Sequence, residues 1–268
     1  MTQEPYTGLA ATFDTAAELY ARTRPGYPPE LFDDLAAATG LRGAEAKVLE
    51  IGAGTGQATR GLLERGWSVV ALEPGRELAA AARRALAGRG DVDVVESTFE
   101  GWDADQQGRF DLVLAATSWH WLDQRVAYRR AAELLRPGGH LAIVATQHVL
   151  PPDGDEFFRE VERAYADVGM SDGQGGPKPP AAIEAPDVEA IGGSGLFAPP
   201  VVHRYVWSRE YTTGEYLALL STYSGHIAAS PRQRETLFSR IRELIDARPS
   251  GTVRKHYLNL LQVARRPD

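Results

Sequence analysis

Between residues 47 and 148 the chain alternates two periodicities. Five short apolar runs rich in Val, Ile, Leu and Ala, at 47–51, 68–73, 91–97, 110–116 and 140–148, predict buried β-strands. Between them apolar residues recur three and four apart, at Ala58 and Leu62, at Leu78, Ala82, Ala85 and Leu86, and at Ala127, Ala131, Leu134 and Leu135. Each of these helical stripes ends on a breaker: Gly66, Gly88 and Pro137-Gly138-Gly139. Strand and helix in alternation predict βαβ units, whose right-handed crossovers give a parallel sheet covered on both faces. Such sheets bind ligands beyond the carboxyl ends of their strands, so the residues that follow each strand are where chemistry is expected.

The flanking segments follow other rules. Phe13, Ala16, Ala17 and Tyr20 form a short helical stripe, and a second helix opens at Pro28-Pro29-Glu30, carries Leu31, Phe32, Leu35 and Ala36, and stops at Gly40. Beyond Leu150, residues 155–168 read as an amphipathic helix on Phe157, Phe158, Val161 and Tyr165. Residues 171–200 are dense in Gly, Pro and Ala and read as a long loop or mobile lid. Residues 201–211 alternate, with Val201, His203, Tyr205, Trp207 and Tyr211 on one face, and 252–264 form a second late strand. Helical stretches at 214–223 and 231–247 separate them, the latter on Leu237, Phe238, Ile241, Leu244 and Ile245.

The expected fold is α/β: a doubly wound, mostly parallel seven-stranded sheet with a C-terminal antiparallel strand, N-terminal helices and a helical cap. Residues 1–45 would close over the ligand, 46–150 form the α/β core, and 151–268 supply the cap and the last two strands.

Composition narrows the chemistry. The chain has 268 residues and no Cys, which excludes disulfides, thiolate metal sites and a cysteine nucleophile. His148, His203, His226 and His256 fall on separate elements without carboxylates at helical spacing, so no metal site is expected. The net charge of −7 offers no general field for nucleic acid, and no window approaches the roughly 20 apolar residues that span a bilayer. Met1-Thr2-Gln3-Glu4-Pro5 lacks the basic start of a secretory signal, so the expected compartment is the cytoplasm.

Val48-Leu49-Glu50-Ile51-Gly52-Ala53-Gly54-Thr55-Gly56-Gln57 joins a strand to a helix, and glycines there allow a sharp turn and a close approach to the backbone. Glu73 ends the next strand, where a carboxylate can accept both hydroxyls of a ribose. Together they indicate an adenosine-type ligand. Gln57 stands where a dinucleotide fingerprint needs its third glycine, which disfavours a nicotinamide-dependent oxidoreductase as the rival reading.

Glu50-x-Gly52-x-Gly54-x-Gly56, Glu73, Phe110-Asp111-Leu112-Val113 and Leu135-Arg136-Pro137-Gly138-Gly139, in this order, resemble the class I S-adenosylmethionine-dependent methyltransferases. Phe13-Asp14, Tyr20, Arg24-Pro25-Gly26-Tyr27-Pro28 and Ser118-Trp119-His120-Trp121 are similar to the small-molecule branch that includes trans-aconitate methyltransferase-like proteins. The resemblance implies S-adenosylmethionine as cofactor, with Gly52, Ala53 and Gly54 at its methionine portion, Glu73 at the ribose and Pro74 on the adenine face. Thr98 and Phe99 match the adenine edge, although Ser97-Thr98 replaces an acidic residue of many members. Ala115 and Thr117 would lie near the transferred methyl, with Tyr20 and Arg24 closing over the cofactor and Arg24 facing its carboxylate.

The expected function is methyl transfer to a small-molecule acceptor, at the oxygen of a hydroxyl or carboxylate in secondary or small-acid metabolism. N- or C-methylation and a non-catalytic cofactor-binding module stand as alternatives. His120, between two tryptophans after the fourth strand, is the candidate base, with structural and substrate-orienting roles beside it. Trp119, Trp121, Trp207 and Tyr223 are candidate acceptor contacts, with Tyr211 and Tyr216 as further pocket aromatics and Arg204, Arg209 and Arg254 as cations for an anionic acceptor. Monomer and homodimer are left open.

Overall fold

The computed structural model describes residues 17–102, 109–171, 173 and 175–268, the side chains of Glu18 and Tyr20 excepted. Phe13 and Ala16 of the first predicted stripe therefore lie outside the described residues. One seven-stranded sheet holds β1 (Lys47–Ile51), β2 (Ser68–Leu72), β3 (Val92–Val95), β4 (Phe110–Ala116), β5 (Leu135–Val149), β6 (Val201–Thr212) and β7 (Thr252–Arg265). The spatial order is β3-β2-β1-β4-β5-β7-β6. Pairing is parallel from β3 to β5, and β7 is antiparallel to both neighbours. The winding direction reverses between β1 and β4, and the crevice above that switch point is where an open α/β sheet binds its ligand.

The helices are α1 (Ala17–Thr23), α2 (Pro29–Thr39), α3 (Gln57–Leu63), α4 (Arg76–Leu86), α5 (Gln124–Leu134), α6 (Phe157–Asp167), α7 (Val188–Gly193), α8 (Thr213–Leu220), α9 (Ser224–Ala228) and α10 (Pro231–Asp246). No helix among the described residues is long and apolar enough to cross a membrane.

Successive strand residues point to opposite faces. Val48, Leu112, Leu114, Ala142, Val144, Leu261 and Val263 pack with Phe32 and Leu35 of α2 and Leu62 of α3. Leu49, Ile51, Val113, Ala115, Leu141 and Ile143 pack on the other face with Phe99, Trp119 and Tyr128. A third cluster joins α6, α8 and α10 to Tyr211, Val253 and Tyr257 and forms the cap.

Two expectations change. The Pro137-Gly138-Gly139 stop lies inside β5: α5 ends at Leu134 and the strand begins at once, with Gly138 at φ 73° and an irregular register opposite Phe110 to Leu112. The left-handed glycine lets the strand absorb its extra residues as a bulge instead of breaking. In the 171–200 stretch, Ile191 of α7 and Phe197 are buried against the sheet face beside Phe99 and Leu135. A helix of six residues is too short to leave a periodic signature. The alternation on β6 is real at Tyr205, Trp207 and Tyr211, but Val201 is exposed because β6 is an edge strand.

The length of β5 and β7 is what builds a site. β4 last pairs with β5 at Ala116 opposite Val144, yet β5 continues to Val149, and β7 reaches past it to Thr252. His148, Lys255 and Tyr257 are thereby carried beyond the ends of β1 and β4.

α3 rests on α2 through Gly61, where a Cβ would lie 2.4 Å from the buried Phe32 ring. Gly61→Ala should cost about 1–3 kcal/mol of stability in urea unfolding, because the ring has no space into which to retreat.

Candidate active site

After β1 the chain turns through three left-handed glycines, Gly52 (φ 68°), Gly54 (φ 59°) and Gly56 (φ 86°), before α3 begins at Gln57. Neighbouring groups pin this turn. The Gly52 and Ala53 N–H groups both donate to the Leu72 carbonyl, at 2.8 and 2.9 Å. The Glu73 carboxylate accepts from Gly54 N–H at 2.8 Å and from Gly75 N–H at 2.9 Å. Ser118 donates its hydroxyl to the Ile51 carbonyl, and a Cβ on Gly52 would lie 2.6 Å from Ser118 Cβ. Only glycine satisfies both the dihedral and the contact.

Two hollows open from the loop, and Gly52 lines both. The larger, about 350 Å³, is floored by Glu50, Gly52, Ala53 and Gly54. Arg24, Tyr27 and Tyr223 close one side, Thr117, Thr146 and His148 another, and Lys255 and Tyr257 of β7 the far end. The smaller is a narrow, mostly apolar slot of about 20 Å³ between Pro74, Thr98, Phe99 and Leu122. A third hollow, a groove of about 1000 Å³ between α6 and α10, contains none of the glycine-loop residues.

The expected cofactor residues fall around these two hollows. Gly52, Ala53, Gly54, Arg24 and Thr117 line the cavity, and Pro74, Thr98 and Phe99 line the slot. Glu73 is buried at the end of β2 behind the loop it holds. Ala115 is fully buried, and it is the next residue, Ala116, that reaches the cavity. The expectation for the Tyr20 side chain lies outside the described residues.

The expected acceptor residues divide. Tyr223 lines the cavity. Thr117, a non-glycine residue at φ 61°, turns the chain after β4 into the short helix Trp119–Trp121. That turn buries Trp119 against Tyr128, with ring centroids 5.0 Å apart, and leaves His120 and Trp121 exposed beside each other. None of the three lines either hollow. Desolvation lowers the His120 pKa, opposed by Asp187. Trp207 supports the wall from behind, stacked on Tyr257 at 4.8 Å. Tyr211 and Tyr216 are buried in the cap. Arg204 is spent on the Ile183 and Pro180 carbonyls, Arg209 lies over the Tyr211 ring, and Arg254 pairs with Glu210.

A chain of hydrogen bonds ties the walls together. Trp207 donates to Asn259 Oδ1 (2.6 Å), Asn259 Nδ2 donates to Thr146 (2.8 Å), and Thr146, Thr117 and the Tyr27 hydroxyl follow at 3.1 and 3.0 Å. It spans β6, β7, β5, β4 and the segment before α2, holding Thr117 in its strained conformation at the cavity edge.

The cavity has an acidic floor and a basic far end. Glu50 is buried, its Oε2 has no hydrogen-bond partner among the described residues, and burial together with Glu73 raises its pKa to about 7. Lys255 is 3 % exposed and makes no hydrogen bond or ion pair among the described residues. Phe158, Tyr257 and Tyr223 surround its ammonium at 5.4, 5.5 and 6.0 Å, and burial with Arg24 nearby lowers its pKa to about 7. His148 is held well below the usual imidazole range by burial, Lys255 and His256, and its Nε2 has no hydrogen-bond partner among the described residues. Arg24 donates to the Thr222 hydroxyl and carbonyl and lies 4.4 Å over the Tyr223 ring.

Thr146, Asn259, Tyr257 and Lys255 carry no motif in the sequence, Glu50 enters there only as part of the glycine motif and His148 only as an unlikely metal ligand. Their signal is strand parity: each continues, at a strand end, the alternate positions that lower down are Val48, Val144, Leu261 and Val263.

The cavity offers a carboxylate, Glu50, on its floor and a guanidinium, Arg24, on its side, with an apolar slot beside the same glycine loop.

A buried lysine with a pKa of about 7 sets a pH dependence of stability. Between pH 7 and about 10.4 the unfolded chain binds a proton that the folded chain lacks, so stability rises with pH and the full penalty is carried below 7. Lys255→Met removes it. In urea unfolding, the stability advantage of Lys255→Met over wild type should shrink by about 3 kcal/mol between pH 7 and about pH 9.5.

A family model for the methyltransferase domain matches residues 49–141. An uncharacterized methyltransferase of Mycobacterium tuberculosis is 30% identical over 242 residues, covering 90% of this chain and 88% of the relative. A ubiquinone biosynthesis O-methyltransferase of Cronobacter sakazakii is 34% identical over 97 residues, 35% of this chain and 40% of that protein. The structure of a putative type II methyltransferase from Anaeromyxobacter dehalogenans shares the fold at a TM-score of 0.60 and 22% identity, covering 91% of this chain and 99% of that one. The protein belongs to the class I S-adenosylmethionine-dependent methyltransferases, and S-adenosylmethionine is its cofactor.

Proposed function

We propose that the protein methylates an oxygen, hydroxyl or carboxylate, of a small-molecule acceptor held at the far end of the 350 Å³ cavity. The observation that carries this reading is one cavity with two differently charged ends: the acidic glycine-loop floor matches the cofactor, and the basic, aromatic end remains for an acceptor of metabolite size. The O-methyltransferase among the relatives supports oxygen as the atom.

The cofactor supplies an electrophilic methyl group on a sulfonium. The chain's part is to hold and align. Glu50 would meet the cofactor's ammonium, which favours the carboxylate form that burial otherwise disfavours. Arg24 would meet its carboxylate, Glu73 its ribose hydroxyls, and Pro74 and Phe99 its adenine. Tyr223 and Tyr257 give a wall of low polarity that tolerates a cation and excludes water, so the acceleration comes chiefly from alignment. A carboxylate acceptor needs no base. A hydroxyl acceptor must lose its proton, and His148, neutral because it is buried, lines the cavity where His120 does not. We place the reaction in the cytoplasm, on small molecules and not on nucleic acid.

Calorimetric titration with S-adenosylhomocysteine tests the cofactor half. Wild type should bind, Gly52→Ala should lose binding, and Glu73→Ala should bind at least about tenfold more weakly because Gly54 and Gly75 are released. Mass spectrometry of acceptor mixtures tests the other half. Methyl gain on nitrogen or carbon alone would overturn the assignment to oxygen.

A further inference from the structure

Lys255 is a charge-bearing group that the cofactor does not need. With Glu50 opposite the ammonium and Arg24 opposite the carboxylate, the cofactor's charges are matched on the reading above, and Lys255 stands beyond them at the start of β7. No carboxylate of the described chain pairs with it. The groups packed around it are basic or neutral on nearly every side. Arg24 comes from the segment after α1, His148 from β5, and Arg209 is its cross-strand neighbour on β6. His226 of α9, Tyr223 before it, and His256 and Tyr257 of β7 complete the ring, with Phe158 and Tyr165 from α6. Of the acids nearby, Glu50 lies on the loop floor and Glu162 of α6 bears on Tyr165 and Tyr216.

A buried amine that keeps its lysine stem among three aromatic rings and has no partner is costly unless something supplies the missing charge. We infer that the acceptor supplies it: the acceptor carries a carboxylate on a small apolar or aromatic body, seated by Lys255 and flanked by Tyr223, Tyr257 and Phe158. This deepens the methyltransferase reading and rests on it for the position of the cofactor. A carboxylate fits better than a phosphate, because one ammonium matches one charge.

Seating an anion returns the proton to Lys255. Its pKa of about 7 in the unliganded cavity means that binding takes up a proton above that pH and none well below it.

The test is calorimetry on the protein loaded with S-adenosylhomocysteine, titrated with benzoate, phenyl phosphate and benzamide at about pH 6 and about pH 8.5 in buffers of different ionisation enthalpy. Benzoate should bind at least about tenfold more tightly than benzamide, with proton uptake only at the higher pH. Lys255→Met should lose about tenfold or more in benzoate affinity while keeping its affinity for S-adenosylhomocysteine, which also reports that it folds. Lys255→Arg should retain benzoate binding without proton uptake, since arginine stays charged. Equal binding of benzoate and benzamide, no detectable anion binding, or an unchanged Lys255→Met would overturn the inference. Phenyl phosphate binding tenfold more tightly than benzoate would overturn the carboxylate in favour of a phosphomonoester. Failure of S-adenosylhomocysteine to bind wild type would strike the cofactor reading instead, and the same titrations on the unloaded protein would still decide Lys255.

Discussion

The contact between Gly52 and Ser118 is the constraint on which the site depends. A left-handed turn at the end of β1 is possible for many glycine loops, but here it must also fit beneath the turn after β4, with a Cβ-equivalent approach of 2.6 Å. Ser118 closes that approach by bonding to the Ile51 carbonyl, and Thr117 before it takes up the strain of a positive φ. The two loops at the topological switch point are therefore one mechanical unit. Because Gly52 lines both hollows, displacing it would disturb the slot and the cavity together.

The second organising feature is separation of charge inside one cavity. An isolated buried carboxylate or ammonium is expensive, and here Glu50 and Lys255 each keep a neutral form within reach near pH 7 without pairing with the other. A direct Glu50 to Lys255 ion pair would have satisfied both and filled the cavity. Keeping them apart leaves the cavity open, with an acidic floor and a basic far end.

Sequence periodicity was informative wherever burial repeats over several turns or strands. The five core strands and the helices between them fall where their apolar spacing places them, because a sheet covered on both faces needs long apolar runs and each covering helix needs a stripe. The glycine loop was legible for a different reason, since left-handed dihedrals restrict residue type directly. His120 shows where such reasoning stops. Its position after β4 in the chain suggested the cavity, but the single left-handed residue Thr117 redirects the following turn, and no local pattern marks a threonine at positive φ. Lys255 and His148 were obscured in the opposite way. They belong to strands that pair far along the chain, His148 opposite Tyr257 and Lys255 opposite Arg209, and only the overshoot of β5 and β7 past β4 brings them to the cavity.

That overshoot also explains how the cap and the cofactor half communicate. Tyr257 packs in the cap cluster with Phe158 and Tyr216, shares a hydrogen bond with Tyr211, and lines the cavity. Asn259, two residues on along the same face, carries the hydrogen-bond chain to Thr146 and Thr117 beside the glycine loop. A single strand thus positions the acceptor wall and fixes the turn that shapes the cofactor floor. Changes in cap sequence that preserve β7 can alter which acceptor enters without loosening the cofactor site, whereas changes to the alternating residues of β7 must alter both. The register of β7 against β5 therefore sets the far wall of the cavity and the turn after β4 together.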